Sequence, residues 1–209
     1  MFSTTIEIDE TEIKKRLGTL SEYSGKVMSR AVNRAYPTGK TTIARETRKR
    51  YLITAKEIND SKTLHITKAT PSSPTAILEY TGGHRNLAWW NNKRAVTPNT
   101  IIHWSHGIPN VRTYKAAVMR GTPKQELIGE DNNKPFIQRV RKGERSDFTG
   151  LFRRNGSDRN SKLVSVQAPA IPQIIKNEEV MAQFRRAAGP MLQKRLEHEI
   201  DVVLKGVVR

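Results

Sequence analysis

LHITKATPSSPTAILEYTGG, residues 64–83, decides the fold class. Leu64–Ala69 alternates, with Leu64, Ile66 and Lys68 on one face, and Thr75–Tyr80 is a second extended run. Pro71, Ser72, Ser73 and Pro74 lie between them as turn residues, and Gly82-Gly83 ends the second run. The pair reads as two antiparallel strands. Upstream, the sequence is helical. Asp9 and Glu12 form a capping pattern ahead of Ile13, Leu17 and Leu20, and Val27, Ala31 and Ala35 form an i, i+4 row in a helix over about 24–36. Pro37 and Gly39 predict an interruption or kink, with helix resuming to about Arg50. Thr54 and Glu57 suggest another capping box.

Downstream the pattern weakens. Residues 84–110 read as loops with one short strand around Ile101–Trp104. Arg112–Arg120, Lys124–Ile128, Phe136–Arg141 and Thr149–Arg153 are further strand candidates, and Ala168–Ile175 is a proline-spaced apolar connector. The last element is a helix capped by Asn177, with Val180, Phe184, Leu196 and Ile200 on its apolar side and a bend expected at Gly189-Pro190. The expected class is α+β: N-terminal helices over 1–60, a central mainly antiparallel sheet over 61–167, and a long C-terminal helix within 168–209 that packs on the domain or on a neighbour.

Composition narrows the function. The 209 residues carry 37 Lys/Arg against 20 Asp/Glu, a net charge of +17, and only 36% are hydrophobic. Counted with Gly and without Tyr the fraction is about 40%, still below the roughly 45–50% of ordinary globular domains, which suits a subunit stabilised by partners. The absence of cysteine excludes disulfides, thiolate metal sites and cysteine nucleophiles. No run approaches the roughly 20 apolar residues of a membrane span, and the N-terminus lacks the apolar region of a signal peptide. A soluble intracellular protein with an anionic partner is expected.

Motifs for chemistry are sparse. Pro37–Thr42, PTGKTT, holds a G-K-T, but the position five before Gly39 is Arg34 and the segment follows a helix, so a helix break is the better reading than a phosphate loop. His103 and His106 sit in a loop-like context with no Asp or Glu between Tyr80 and Gln125. No hydrolase elbow or metalloprotease motif is present, so no catalytic residue, metal or cofactor is assigned. The basic residues are the stronger signal. Arg45, Arg48 and Lys49 share a helix face, and Arg139, Arg141 and Lys142 cluster near Arg145, Arg153 and Arg154. Such groups suit phosphates, with a solvated surface or an acidic protein partner as the alternatives. Trp89 and Trp90, adjacent, would face opposite ways on a strand, which leaves two readings: one of them at an interface, or both covering a small core.

Four segments in order resemble the prophage minor tail protein Z family of tailed phages. Residues 29–58 hold AVNRA (31–35), similar to the family's Ala-Leu-Asn-Arg-Ala helix, followed by a Thr- and Arg-rich helix and a tyrosine-containing turn. Residues 64–83 resemble its paired strands ending in glycine. Residues 134–156, KPFIQRVRKGERSDFTGLFRRNG, resemble two of its consecutive strands, and 164–175, VSVQAPAIPQII, its connector to the terminal helix. The chain departs at Ala168, where glycine is usual, and in the long stretch 84–110. The resemblance implies a structural, non-enzymatic virion protein at the head-proximal end of the tail, present in the host cytoplasm during assembly. It implies a sixfold ring of copies. The implied neighbours are the tail terminator and tail tube proteins, the head–tail connector and the phage DNA end, with no membrane involved. A nonspecific nucleic-acid-binding protein outside the virion is the competing expectation, and a nuclease the third.

Overall fold

The computed structural model describes residues 1–6, 8–90, 95–99, 101–105, 108–111, 113–128, 133–142, 146–156 and 158–206, with the backbone alone at 6, 101–105, 108–111, 141–142 and 146–147. Side-chain caps start three of its helices. Asp9 accepts from the Thr11 N–H at 2.9 Å, and Asn177 from the Glu179 N–H at 3.1 Å. Glu57 accepts from the Thr54 N–H at 2.9 Å while Thr54 Oγ1 accepts from the Glu57 N–H at 3.2 Å. Each bond satisfies an amide that a first helical turn leaves without a partner.

In chain order the elements are β1 (Phe2–Ile6), α1 (Glu10–Leu17), α2 (Ser24–Arg50), α3 (Ala55–Ile58), β2 (Leu64–Thr67), β3 (Ala76–Tyr80), β4 (Arg85–Asn86), β5 (Val96–Pro98), β6 (Ile101–Ser105), β7 (Ile108–Val111), β8 (Tyr114–Ala116), β9 (Gln125–Glu126), β10 (Phe136–Lys142), β11 (Ser146–Arg154), β12 (Leu163–Ser165), β13 (Gln167–Ala168), α4 (Ile171–Ile175) and α5 (Glu178–Leu204). Short 3₁₀ turns cover Gly18–Tyr23 and Leu87–Trp89. The fold is α+β: the N-terminal region, expected to be helical, opens with strand β1 before its helices, antiparallel sheets follow, and a long helix comes last. The chain forms two compact units: unit 1 is 1–47, 58–82 and 171–209, and unit 2 is 48–57 and 83–170. These do not coincide with the consecutive blocks 1–60, 61–167 and 168–209, because the hairpin of β2 and β3 belongs with the terminal helices.

In unit 1, β3 is the centre of a three-stranded antiparallel sheet of order β1-β3-β2. Phe2 pairs with Tyr80 and Ile6 with Ala76 on one side; Leu64 pairs with Tyr80 on the other. The alternation of β3 buries Ala76, Leu78 and Tyr80. Ile13 and Leu17 of α1, Val27, Met28 and Ala31 of α2, and Leu196, Ile200 and Val203 of α5 form one hydrophobic cluster. The AVNRA segment of α2 divides its labour. Ala31, Val32 and Ala35 are fully buried. Asn33 clamps the end of the hairpin, donating to the Ala69 carbonyl at 2.9 Å and accepting from its N–H at 3.0 Å. Arg34 pairs with the buried carboxylate of Glu199 on α5.

Helix continues through both positions where the sequence predicts an interruption or a bend. α2 runs unbroken through Pro37 and Gly39, so the PTGKTT segment is neither a break nor a phosphate loop. Pro37 is exposed, and buried residues on both sides, Ala35 and Ile43, hold the helix to its core. Proline removes one ladder hydrogen bond, a loss that packing offsets here. Gly39 is there for proximity: a Cβ would lie 2.6 Å from the Phe184 ring. α5 likewise passes through Gly189-Pro190, both on its solvent side.

Unit 2 is built from short antiparallel strands. β10 and β11 form its longest hairpin, in register from Phe136↔Phe152 to Lys142↔Ser146, and β12 pairs with the end of β11. β5, β8 and β9 form a second sheet; β4 pairs with β13 and β6 with β7. Among the described residues of 112–120 the strand is Tyr114–Ala116; beyond it the backbone changes partner, with the Leu52 N–H donating to the Val118 carbonyl at 2.7 Å and the Arg120 N–H to the Arg50 carbonyl at 2.7 Å. Asn86 completes β11 where strand pairing stops. Its Nδ2 donates to the Leu151 carbonyl and to Ser165 Oγ, both at 2.8 Å, and its Oδ1 accepts from the N–H groups of Leu151 (2.9 Å) and Ala88 (3.0 Å). A side-chain amide thus stands in for a peptide group of an absent strand.

Candidate nucleic-acid interface

Charge is segregated between the units. Unit 2 holds 20 Lys/Arg against 7 Asp/Glu, a net +13, whereas unit 1 holds 17 against 13, a net +4. The first basic cluster ends α2: Arg45 is exposed and ion-paired to Glu46 at 2.8 Å, while Arg48 and Lys49 are exposed and already part of unit 2. Of the second cluster, Arg139 is exposed on β10, opposite Thr149. Arg141 and Lys142 occupy the next positions of β10, opposite Asp147 and Ser146; their side chains and Arg145 lie outside the described residues. Arg153 is exposed on β11, and Arg154 lies over the Phe136 ring at 5.4 Å.

The tryptophans part company, by a 3₁₀ turn rather than a strand. Trp90 is buried and Trp89 is 41% exposed. Trp89 stacks on Phe148, with ring centroids 6.0 Å apart and planes at 22°. Its Nε1–H donates to the Thr149 carbonyl at 2.6 Å. Phe148 is itself 37% exposed and meets the buried Phe152 edge-on at 6.2 Å. Gly150 makes room for this: a Cβ there would lie 2.6 Å from the Phe148 ring and 2.9 Å from the Asn86 amide. A cavity of about 170 Å³ opens beside Trp89, its walls including Ala88, Val96, Tyr114 and Ile137. Burial pushes the Tyr114 phenol up, opposed by a hydrogen bond from the Ile137 backbone.

The remaining residues singled out in the sequence are structural. Val180, Phe184, Leu196 and Ile200 are all buried inside unit 1. In the same unit, β1 is an edge strand, and a cavity of about 470 Å³ runs along Phe2–Thr5 toward Lys176, Met181 and Phe184. His106 and the His103 side chain lie outside the described residues. Among the described residues no group of three or more His, Asp or Glu is placed to hold a metal, and no helix is long and apolar enough to cross a membrane. Sequence reasoning missed Phe148 and Asn86. Phe148 lies one residue before the expected strand 149–153, and β11 in fact begins at Ser146, while the role of Asn86 depends on residues more than sixty positions away.

No protein-family model, curated protein or solved structure matches this chain.

Proposed function

We propose that this chain is a structural minor tail protein of a tailed phage or prophage, which completes the head-proximal end of the tail as a ring with a basic lumen at the DNA end. The observation that carries the reading is the ordered set of four segments resembling the tail protein Z family. The AVNRA segment of the first supplies the Asn33 clamp and the Arg34–Glu199 pair. The charge of unit 2 supports a DNA-facing role, since diffuse Lys/Arg contacts hold a polyanion without reading its sequence. The open edge of β1 and its cavity support assembly, because a strand of a neighbour can add to such an edge. Other copies, the tail terminator and tube, and the head–tail connector are the proposed partners.

Quantitative mass spectrometry of phage particles, purified after inducing the source strain, tests the reading. A few copies per particle, near the level of other neck proteins, supports it. Absence from particles with abundance in the lysate sinks it and leaves a free nucleic-acid-binding protein. Neutralising Arg139, Arg141 and Lys142 together is expected to lower infectious titre more than folding. A folded triple variant with normal titre counts against their facing DNA.

A further inference from the structure

We propose that the Trp89–Phe148 pair is a base-stacking platform and that the nucleic acid it takes is single-stranded. The inference rests on reading unit 2 as the nucleic-acid side of the protein. Both rings are large and apolar, yet both are partly exposed, at 41% and 37%, within a unit of net charge +13. Their exposure is built. The Trp89 indole is pinned to the Thr149 carbonyl, Phe148 is braced by Phe152, and Gly150 leaves the space that Phe148 fills. A side chain already fixed in place loses little entropy when a ligand arrives, which is how preorganised aromatic anchors gain affinity.

The chemistry favours the face of a base over its edge. The indole N–H is engaged by backbone, so the platform offers flat π surface. Stacking on such a surface tolerates any base. Within a duplex the faces of the bases are covered by their neighbours, so only an unpaired nucleotide can lie on the rings. Phe148 sits opposite Val140 and shares its face of the hairpin, whereas the adjacent β10 position, Arg139, belongs to the other face with Thr149. The attraction for phosphate therefore comes from the overall charge of unit 2 and not from this register. The cavity beside Trp89, at about 170 Å³, is below the roughly 300–1,000 Å³ of ordinary ligand pockets. That size suits the edge of one planar ring.

The test uses the full chain, a labelled thymidine oligomer of about 20 nucleotides, longer than one ordinary single-strand site, and a duplex of matched length. Intrinsic tryptophan emission is expected to be quenched by the oligomer. Trp89→Ala and Phe148→Leu should each weaken oligomer binding roughly 10-fold, the scale of one lost stacking contact. The salt dependence should stay unchanged because no phosphate contact is removed. Trp89→Phe should recover part of the loss, and circular dichroism checks that each variant is folded. Folded variants that bind the oligomer as wild type does overturn the platform while leaving unit 2 as a phosphate-binding surface. Equal quenching and affinity for duplex and oligomer also overturn it. Failure of wild type to bind either polymer at low salt overturns both the platform and the nucleic-acid reading, and makes the exposed rings a protein contact.

Discussion

Replacing Asn86 by alanine tests whether one side-chain amide holds unit 2 together. Leu151 is fully buried, and its N–H has Asn86 Oδ1 as its acceptor. Leaving that donor unsatisfied costs about 1–3 kcal/mol. The Leu151 carbonyl keeps a second partner, the Val166 N–H at 3.0 Å, so its loss is small. The Ala88 N–H loses a cap worth about 1 kcal/mol, and Ser165 loses a bond worth roughly 0.5–1.5 kcal/mol. The total is about 3–5 kcal/mol, a large share of the 5–15 kcal/mol that ordinarily separates folded from unfolded. Urea denaturation followed by tryptophan emission reads this unit selectively, because Trp89, Trp90 and Trp104 all belong to it. With a slope of about 1–3 kcal/mol per molar, the midpoint should fall by roughly 2 M. Ser165→Ala, which removes only one bond, should shift it by a fraction of that. A shift below about 0.5 M for Asn86→Ala, well short of that slope, refutes the argument that the amide replaces a strand.

Unit 1 supports three further tests. Asn33→Ala should cost about 2–3 kcal/mol through two lost bonds to Ala69, read as a lower midpoint in the helical circular dichroism signal. Gly39→Ala would ordinarily stabilise a helix interior by about 0.5–1 kcal/mol, yet here it should destabilise, because the new Cβ meets the buried Phe184 ring at 2.6 Å. The double variant with Phe184→Leu should regain part of the loss. Tyr80 has a buried hydroxyl without a hydrogen-bond partner among the described residues, and burial pushes its phenol up. Its contribution is therefore full below the unfolded value near 10 and is lost as pH rises past it. Tyr80→Phe should be neutral or slightly stabilising at neutral pH and should flatten the alkaline decline of the melting temperature.

Features governed by neighbours in sequence were legible. The caps at Asp9, Thr54 with Glu57, and Asn177 are bonds across two or three residues, and the hairpin of β2 and β3 is an alternation closed by a turn. Features governed by distant partners were not. β1 is a strand because Phe2–Ile6 meets β3 seventy or more residues later. The interruption expected at Pro37 followed local propensity, which packing overrides when both flanks of the helix are buried. At the candidate site the charges were plain, but the Trp89–Phe148 stack was not, since it joins a 3₁₀ turn to a strand 59 positions away.

The low apolar fraction takes on a different meaning once charge is divided by unit. Unit 1 buries a continuous apolar row from three helices and carries little net charge, so it has an ordinary core. Unit 2 concentrates positive charge on about 100 residues of short strands joined by polar devices such as Asn86. Like charges at that density repel and weaken the compact state. A polyanion relieves the repulsion and, by binding the folded form, stabilises it further. On charge alone, unit 2 is thus the unit that a bound polyanion would stabilise more. Under the proposed function, that asymmetry is a physical reason to look for a DNA contact in unit 2 and for subunit assembly at the β1 edge of unit 1.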